Sequence, residues 1–144
     1  MSATKADFKA LRETVGLSQQ DLADALDVDV RSVKRWEAPG DDRQPVAAAW
    51  CLLERYHALH ARAVEVAVEQ VERVIAEAGH APQAIRMTYW RSQDEYDAHG
   101  RDYGPYGVAN ANARAAAEAL RPYGVDVEFA YWDEGAISTP GSRY

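Results

Sequence analysis

Leu17-Ser18-Gln19-Gln20-Asp21-Leu22-Ala23-Asp24-Ala25-Leu26-Asp27-Val28-Asp29-Val30-Arg31-Ser32-Val33-Lys34-Arg35-Trp36-Glu37 holds two short helical patterns joined by a four-residue turn. Leu22, Ala23 and Leu26 recur at the spacing of one helical face, and Val33 and Trp36 do the same three residues apart. Ser18 and Asp21 stand at the two positions of a capping box, which satisfies the free N–H groups at a helix start. Asp29 is a good N-cap for the second pattern. Ala23 is small, as close helix crossing requires.

Turned away from Val33 and Trp36, the second helix presents Val30, Arg31, Lys34 and Arg35. An arginine fork matches the O6 and N7 acceptors of guanine, and a valine near the helix start can touch a thymine methyl. Val30, Arg31, Lys34 and Arg35 are therefore the expected base-reading residues. Ser18 and Gln19 open the first helix, where backbone N–H groups and short polar side chains hold a phosphate. With Arg43 they are the expected phosphate contacts. Two helices, a tight turn and an outward cationic face are the sequence form of a helix-turn-helix. A plain helical hairpin with a solvated basic face is the competing reading.

Residues 6–54 resemble the Cro/C1-type (Xre) repressor domain, whose pattern runs L-S/T-Q-x-x-L-A, a turn, and a recognition helix closing in W/L-E. Here the matching segments are Leu17-Ser18-Gln19-Gln20-Asp21-Leu22-Ala23 and Ser32-Val33-Lys34-Arg35-Trp36-Glu37. The resemblance implies that Arg12 pairs with Glu37 and locks the first helix to the third. The sequence departs from the pattern at Asp27, where glycine often stands. Aspartate tolerates the left-handed conformation better than most residues but less well than glycine, so the turn is expected at a small cost in stability.

The net charge of −7 argues against a general nucleic-acid coating, and residues 1–43 themselves carry seven Lys/Arg against nine Asp/Glu. The cations concentrate at Arg31, Lys34, Arg35 and Arg43. Modest non-specific affinity with a steep salt dependence follows. Cys51, the only cysteine, cannot form an internal disulfide and fits a reducing compartment. No signal peptide and no membrane-spanning apolar run is read, so a cytoplasmic location is expected.

Outside the quoted stretch, Ala6–Val15 reads as a helix carrying Phe8, Leu11 and Val15 and ending at Gly16. Pro45 suits the first position of a long helix running to Ala78, with a break near His57–His60 as the alternative. Ile85–Trp90 and Val125–Tyr131 alternate apolar and polar residues like strands. Between them, Ser92–Glu95 reads as a capping box and Val108–Leu120 as an alanine-rich helix. Two strands joined by helices imply parallel pairing, yet two strands make a poor sheet alone. A second copy of the chain would complete it, with Ile85, Met87, Tyr89, Val127, Phe129 and Tyr131 as the dimerisation residues.

The expected fold is thus mainly α with a small α/β part. A helix-turn-helix domain occupies residues 1–55, a connecting helix 56–80, an α/β dimerisation module 81–135 and a flexible tail 136–144. This layout is similar to the anti-CRISPR-associated (Aca) autorepressors and related small bacterial regulators. Matching pieces are Arg31-Ser32 with Trp36-Glu37, and Ile85-Arg86-Met87-Thr88-Tyr89 followed by Asp94-Glu95-Tyr96. Such proteins bind inverted-repeat operators in double-stranded DNA as homodimers. The alternatives are an antitoxin with a toxin partner and a one-component regulator with a small-molecule effector.

Chemistry beyond DNA binding has little support. Cys51, His57 and His60 share a helix but lack the spacing and companions of a metal site, so no metal is expected and Cys51 reads as a buried small hydrophobe. No phosphate loop, nucleophile elbow or HExxH occurs, and neither an enzyme nor a cofactor is expected. Asn110 and Asn112 suit either a polar ligand or a structural hydrogen bond. Tyr89, Trp90, Tyr96, Tyr103, Tyr106, Tyr123, Tyr131 and Trp132 suit core and interface contacts, with a ligand pocket or an RNA-stacking surface as the alternatives.

Overall fold

A computed structural model describes residues 3–134, and the expected tail at 136–144 lies outside them. The chain divides into two compact units, Met1–Ala58 and Leu59–Tyr144.

In the first unit, α1 spans Lys5–Val15, α2 Gln19–Leu26 and α3 Val30–Glu37. Each begins where a short polar side chain satisfies a free N–H. Thr4 with Asp7 and Ser18 with Asp21 form full capping boxes, while the Asp29 carboxylate accepts from the Arg31 N–H at 2.8 Å. Gly16 closes α1 at φ 84°, in the left-handed region that glycine enters without steric cost. Asp27 closes α2 in the same region, at φ 54° and ψ 48°, and is the one non-glycine residue with positive φ among those described. The core comprises Phe8, Val15, Leu22, Val33, Trp36 and Leu53. Phe8 presents its ring edge-on to both Trp36 and Trp50, with centroids 6.1 and 5.1 Å away.

Helix α4 covers Ala47–Ala78, 32 residues, and contributes to both units. It starts two residues after Pro45, which precedes the helix instead of occupying its first position. The Val46 carbonyl there accepts from Ala49 and Trp50. His57–His60 remain helical, so the alternative of two shorter helices is not realised. Cys51 is exposed, which corrects the expectation of a buried cysteine.

Within the second unit, β1 (Ala84–Thr88) pairs in parallel with β2 (Asp126–Ala130), Ile85 opposite Val127 and Met87 opposite Phe129. Helices α5 (Gln93–His99) and α6 (Tyr106–Leu120) connect them. Val71, Leu120 and Val125 form the core, and Ile85, Met87 and Val127 pack against it. The burial of these three therefore needs no second chain. Tyr89 packs edge-on against Phe129, and Phe129 and Tyr131 are exposed at 39% and 42%. The other sheet face carries the exposed Arg86–Glu128 pair at 3.2 Å.

Side-chain amides finish what the strands and helices leave open. Asn110 accepts from Trp90 N and donates to Trp90 O, both at 2.9 Å, and so takes a strand's place just past β1. This ends the first strand at Thr88, two residues short of the expected Trp90. Pro105 offers no capping side chain to α6, and Gln93 Oε1 accepts the Tyr106 N–H instead, at 3.0 Å. That contact lets α6 start before the expected Val108. The expected capping box of α5 is half present. Ser92 Oγ accepts from Glu95 N, but the Glu95 carboxylate turns to the backbone and guanidinium of Arg91.

Candidate nucleic-acid interface

At 100° per residue, Arg31, Lys34 and Arg35 fall opposite Val33 and Trp36 on α3. The structure follows this division. Val33 and Trp36 are buried, the three cations are exposed, and Val30 at the helix start is half-buried. The Arg31 side chain is 79% exposed and only loosely paired, with Nε 3.8 Å from the Asp29 carboxylate. Such a contact is weak in water and can be exchanged for a nucleic-acid acceptor at little cost. Lys34 and Arg35 lie in the last turn, where the helix dipole favours cations.

Two long-range connections hold that face in place, one buried and one at the surface. Arg12 clamps Glu37 with a fork, Nε to Oε2 at 2.6 Å and Nη2 to Oε1 at 2.9 Å, and its Nη1 donates to the Leu17 carbonyl at 2.9 Å. The two side chains are only 9% and 4% exposed, and Gln19 Nε2 adds a third donor to the carboxylate at 3.1 Å. With both oxygens satisfied, the pair ties α1, α2 and the end of α3 together. One Gln19 N–H is thus used inside the domain, where only a phosphate contact had been expected of this side chain.

The second connection has no local sequence signal. Lys5 Nζ donates to the carbonyls of Arg35 at 2.8 Å and Arg43 at 2.5 Å, residues 30 and 38 positions away. It supplies a cation to the C-terminal carbonyls of α3 and fastens the following loop. Arg43 within that loop is exposed, as is Ser18, whose Oγ accepts from Asp21 N at 2.9 Å.

The remaining candidates lie elsewhere. Tyr89, Phe129 and Tyr131 sit at the β-sheet of the second unit. His60 Nδ1 meets Asn112 Oδ1 at 2.6 Å, and Asn110 is held by Trp90, so both buried asparagines have structural partners. No group of three or more His, Cys, Asp or Glu converges among the described residues. No described helix is long and apolar enough to cross a membrane.

Three capped helices, a left-handed turn at Asp27 and an outward cationic third helix define a helix-turn-helix domain that binds DNA. Residues 8–38 match the family model for the helix-turn-helix. The N-terminal unit is a domain of this kind, of the Cro/C1 (Xre) type, and the chain that carries it is a DNA-binding transcriptional regulator. No curated protein matches the chain.

Proposed function

We propose that the protein is a homodimeric repressor that reads an inverted-repeat operator, each protomer inserting α3 into a major groove. The observation that carries this reading is the rigidly held, exposed row of Arg31, Lys34 and Arg35 on a chain that is otherwise acidic. A short exposed row of cations on one helix favours recognition of particular bases over coating. Arg31 and Arg35 read base edges, with Val30 and Lys34 assisting. Ser18, Arg43 and the free N–H groups at the start of α2 hold phosphates. Repression follows from occlusion of polymerase at the promoter, and the resemblance in layout to autorepressors favours the protein's own operon as target.

The dimer is supported by an incomplete sheet. β1 and β2 each have one edge without a strand partner among the described residues, and Phe129 within β2 and Tyr131 just after it are exposed. An unpaired edge flanked by aromatic side chains is suited to pairing with its own copy about a twofold axis. Tyr89, Phe129 and Tyr131 are the contacts of this proposal, with Ile85, Met87 and Val127 supporting the sheet from the core side.

Selection of binding sites from a random DNA pool tests the reading, with an enriched palindrome expected. Arg31→Ala should weaken binding to that site by about 1–3 kcal/mol and relax one base position in each half-site. An unenriched pool, or an unchanged preference in the variant, would overturn the assignment.

A further inference from the structure

The second unit contains a groove of about 410 Å³ that neither DNA binding nor strand pairing uses. Its lining comes from α4, β1, α5 and α6 together with the segments flanking β1 and following α5, all within residues 59–144. Ala63 and Ala67 on α4 and Ala109, Ala113 and Ala116 on α6 all belong to this lining, so methyl groups stand where larger side chains would fill the space. The volume is that of a small-molecule pocket, within the usual range of roughly 300–1,000 Å³.

Polar groups occur at few points of this lining, and their distribution is uneven. Arg73 and Arg101 both line the groove, against the single carboxylate of Asp102, and neither arginine has an ion-pair partner among the described residues. Thr88 lines it too, and its Oγ1 is the one side-chain polar atom buried without a hydrogen-bond partner among the described residues. A buried hydroxyl left unpaired is costly, and a ligand's acceptor recovers that loss once the side chain turns towards it.

We propose that this groove binds an amphipathic organic anion, its apolar body lying along the alanine walls and its carboxylate-type head meeting Arg73, Arg101 and the Thr88 hydroxyl. The excess of cation over acid selects the sign of the head group. The mostly apolar lining selects a hydrocarbon body. This site stands independently of the DNA-binding reading.

Calorimetric titration of the full chain with decanoate, decanol and decylamine tests the proposal, with Trp90 in the groove wall as a fluorescent reporter. Decanoate should saturate one site per protomer and bind about tenfold more tightly than decylamine, as a charge-assisted contact implies. Arg73→Gln and Arg101→Gln should each reduce decanoate affinity while leaving decanol unchanged. Ala109→Phe should abolish all three, with an unchanged circular dichroism spectrum showing that the unit still folds. Equal binding of the three probes would reduce the groove to apolar adhesion and overturn the proposal. So would binding that weakens as protein concentration rises through self-association, because the groove would then be covered by a second copy.

Discussion

Arg12 carries more structural responsibility than any other side chain of the DNA-binding unit. Its three hydrogen bonds replace the water it gives up on burial, and Glu37 depends on it for charge balance. Arg12→Ala should cost about 3–5 kcal/mol, read from the urea midpoint of the full chain, because a buried carboxylate is left unpaired. A double replacement by methionine at both positions should recover most of that loss, which separates the pair's net contribution from the penalty of breaking it. Asp27 offers the opposite case. Its left-handed backbone is strained for a residue with a Cβ, so Asp27→Gly should raise stability by about 0.5–1 kcal/mol without altering DNA affinity.

One helix cap and one ion pair set part of the response to pH. Thr4 backbone and side-chain donors hold the Asp7 carboxyl below its ordinary range, and the Arg91 guanidinium does the same for Glu95. A carboxylate with a depressed folded pKa stabilises the fold at and above its unfolded pKa. That contribution is lost as pH falls through the folded value. The urea midpoint should therefore be flat near neutrality and decline on acidification below the usual carboxylate range. Asp7→Asn and Glu95→Gln should each flatten part of the decline. Both groups are open to solvent screening, so the effect of each is small.

The whole molecule joins a reading head to a second unit with an unfinished sheet. A single helix-turn-helix makes too few contacts to choose a site firmly, and two of them on one twofold axis square the problem of recognition. Half-sites about 34 Å apart, one turn of DNA, are expected for such a dimer. Phe129→Asp places a charge at the proposed strand-pairing edge. It should yield monomers by sedimentation equilibrium and sharply lower operator affinity, while the circular dichroism spectrum of the full chain stays unchanged. A variant that remains dimeric would move the interface elsewhere.

Local signals carried much of the architecture. The capping residues Ser18 and Asp29, the 3.6-residue rhythm of Val33 and Trp36, and the alternation around Ile85 and Val127 are all decided by neighbours a few positions away. The helix-turn-helix and its cationic face were therefore legible from residues 17–37 alone. Contacts between distant residues were not. Lys5 reaching Arg35 and Arg43, Gln93 capping α6, and Asn110 replacing a strand beside Trp90 depend on chain segments that meet only after folding, and no spacing rule announces them. The exposure of Cys51 and the groove that isolates Thr88 Oγ1 belong to the same class. Helical periodicity says which side chains share a face; only the packing of one element on another decides whether that face is covered, and what is left open for a ligand.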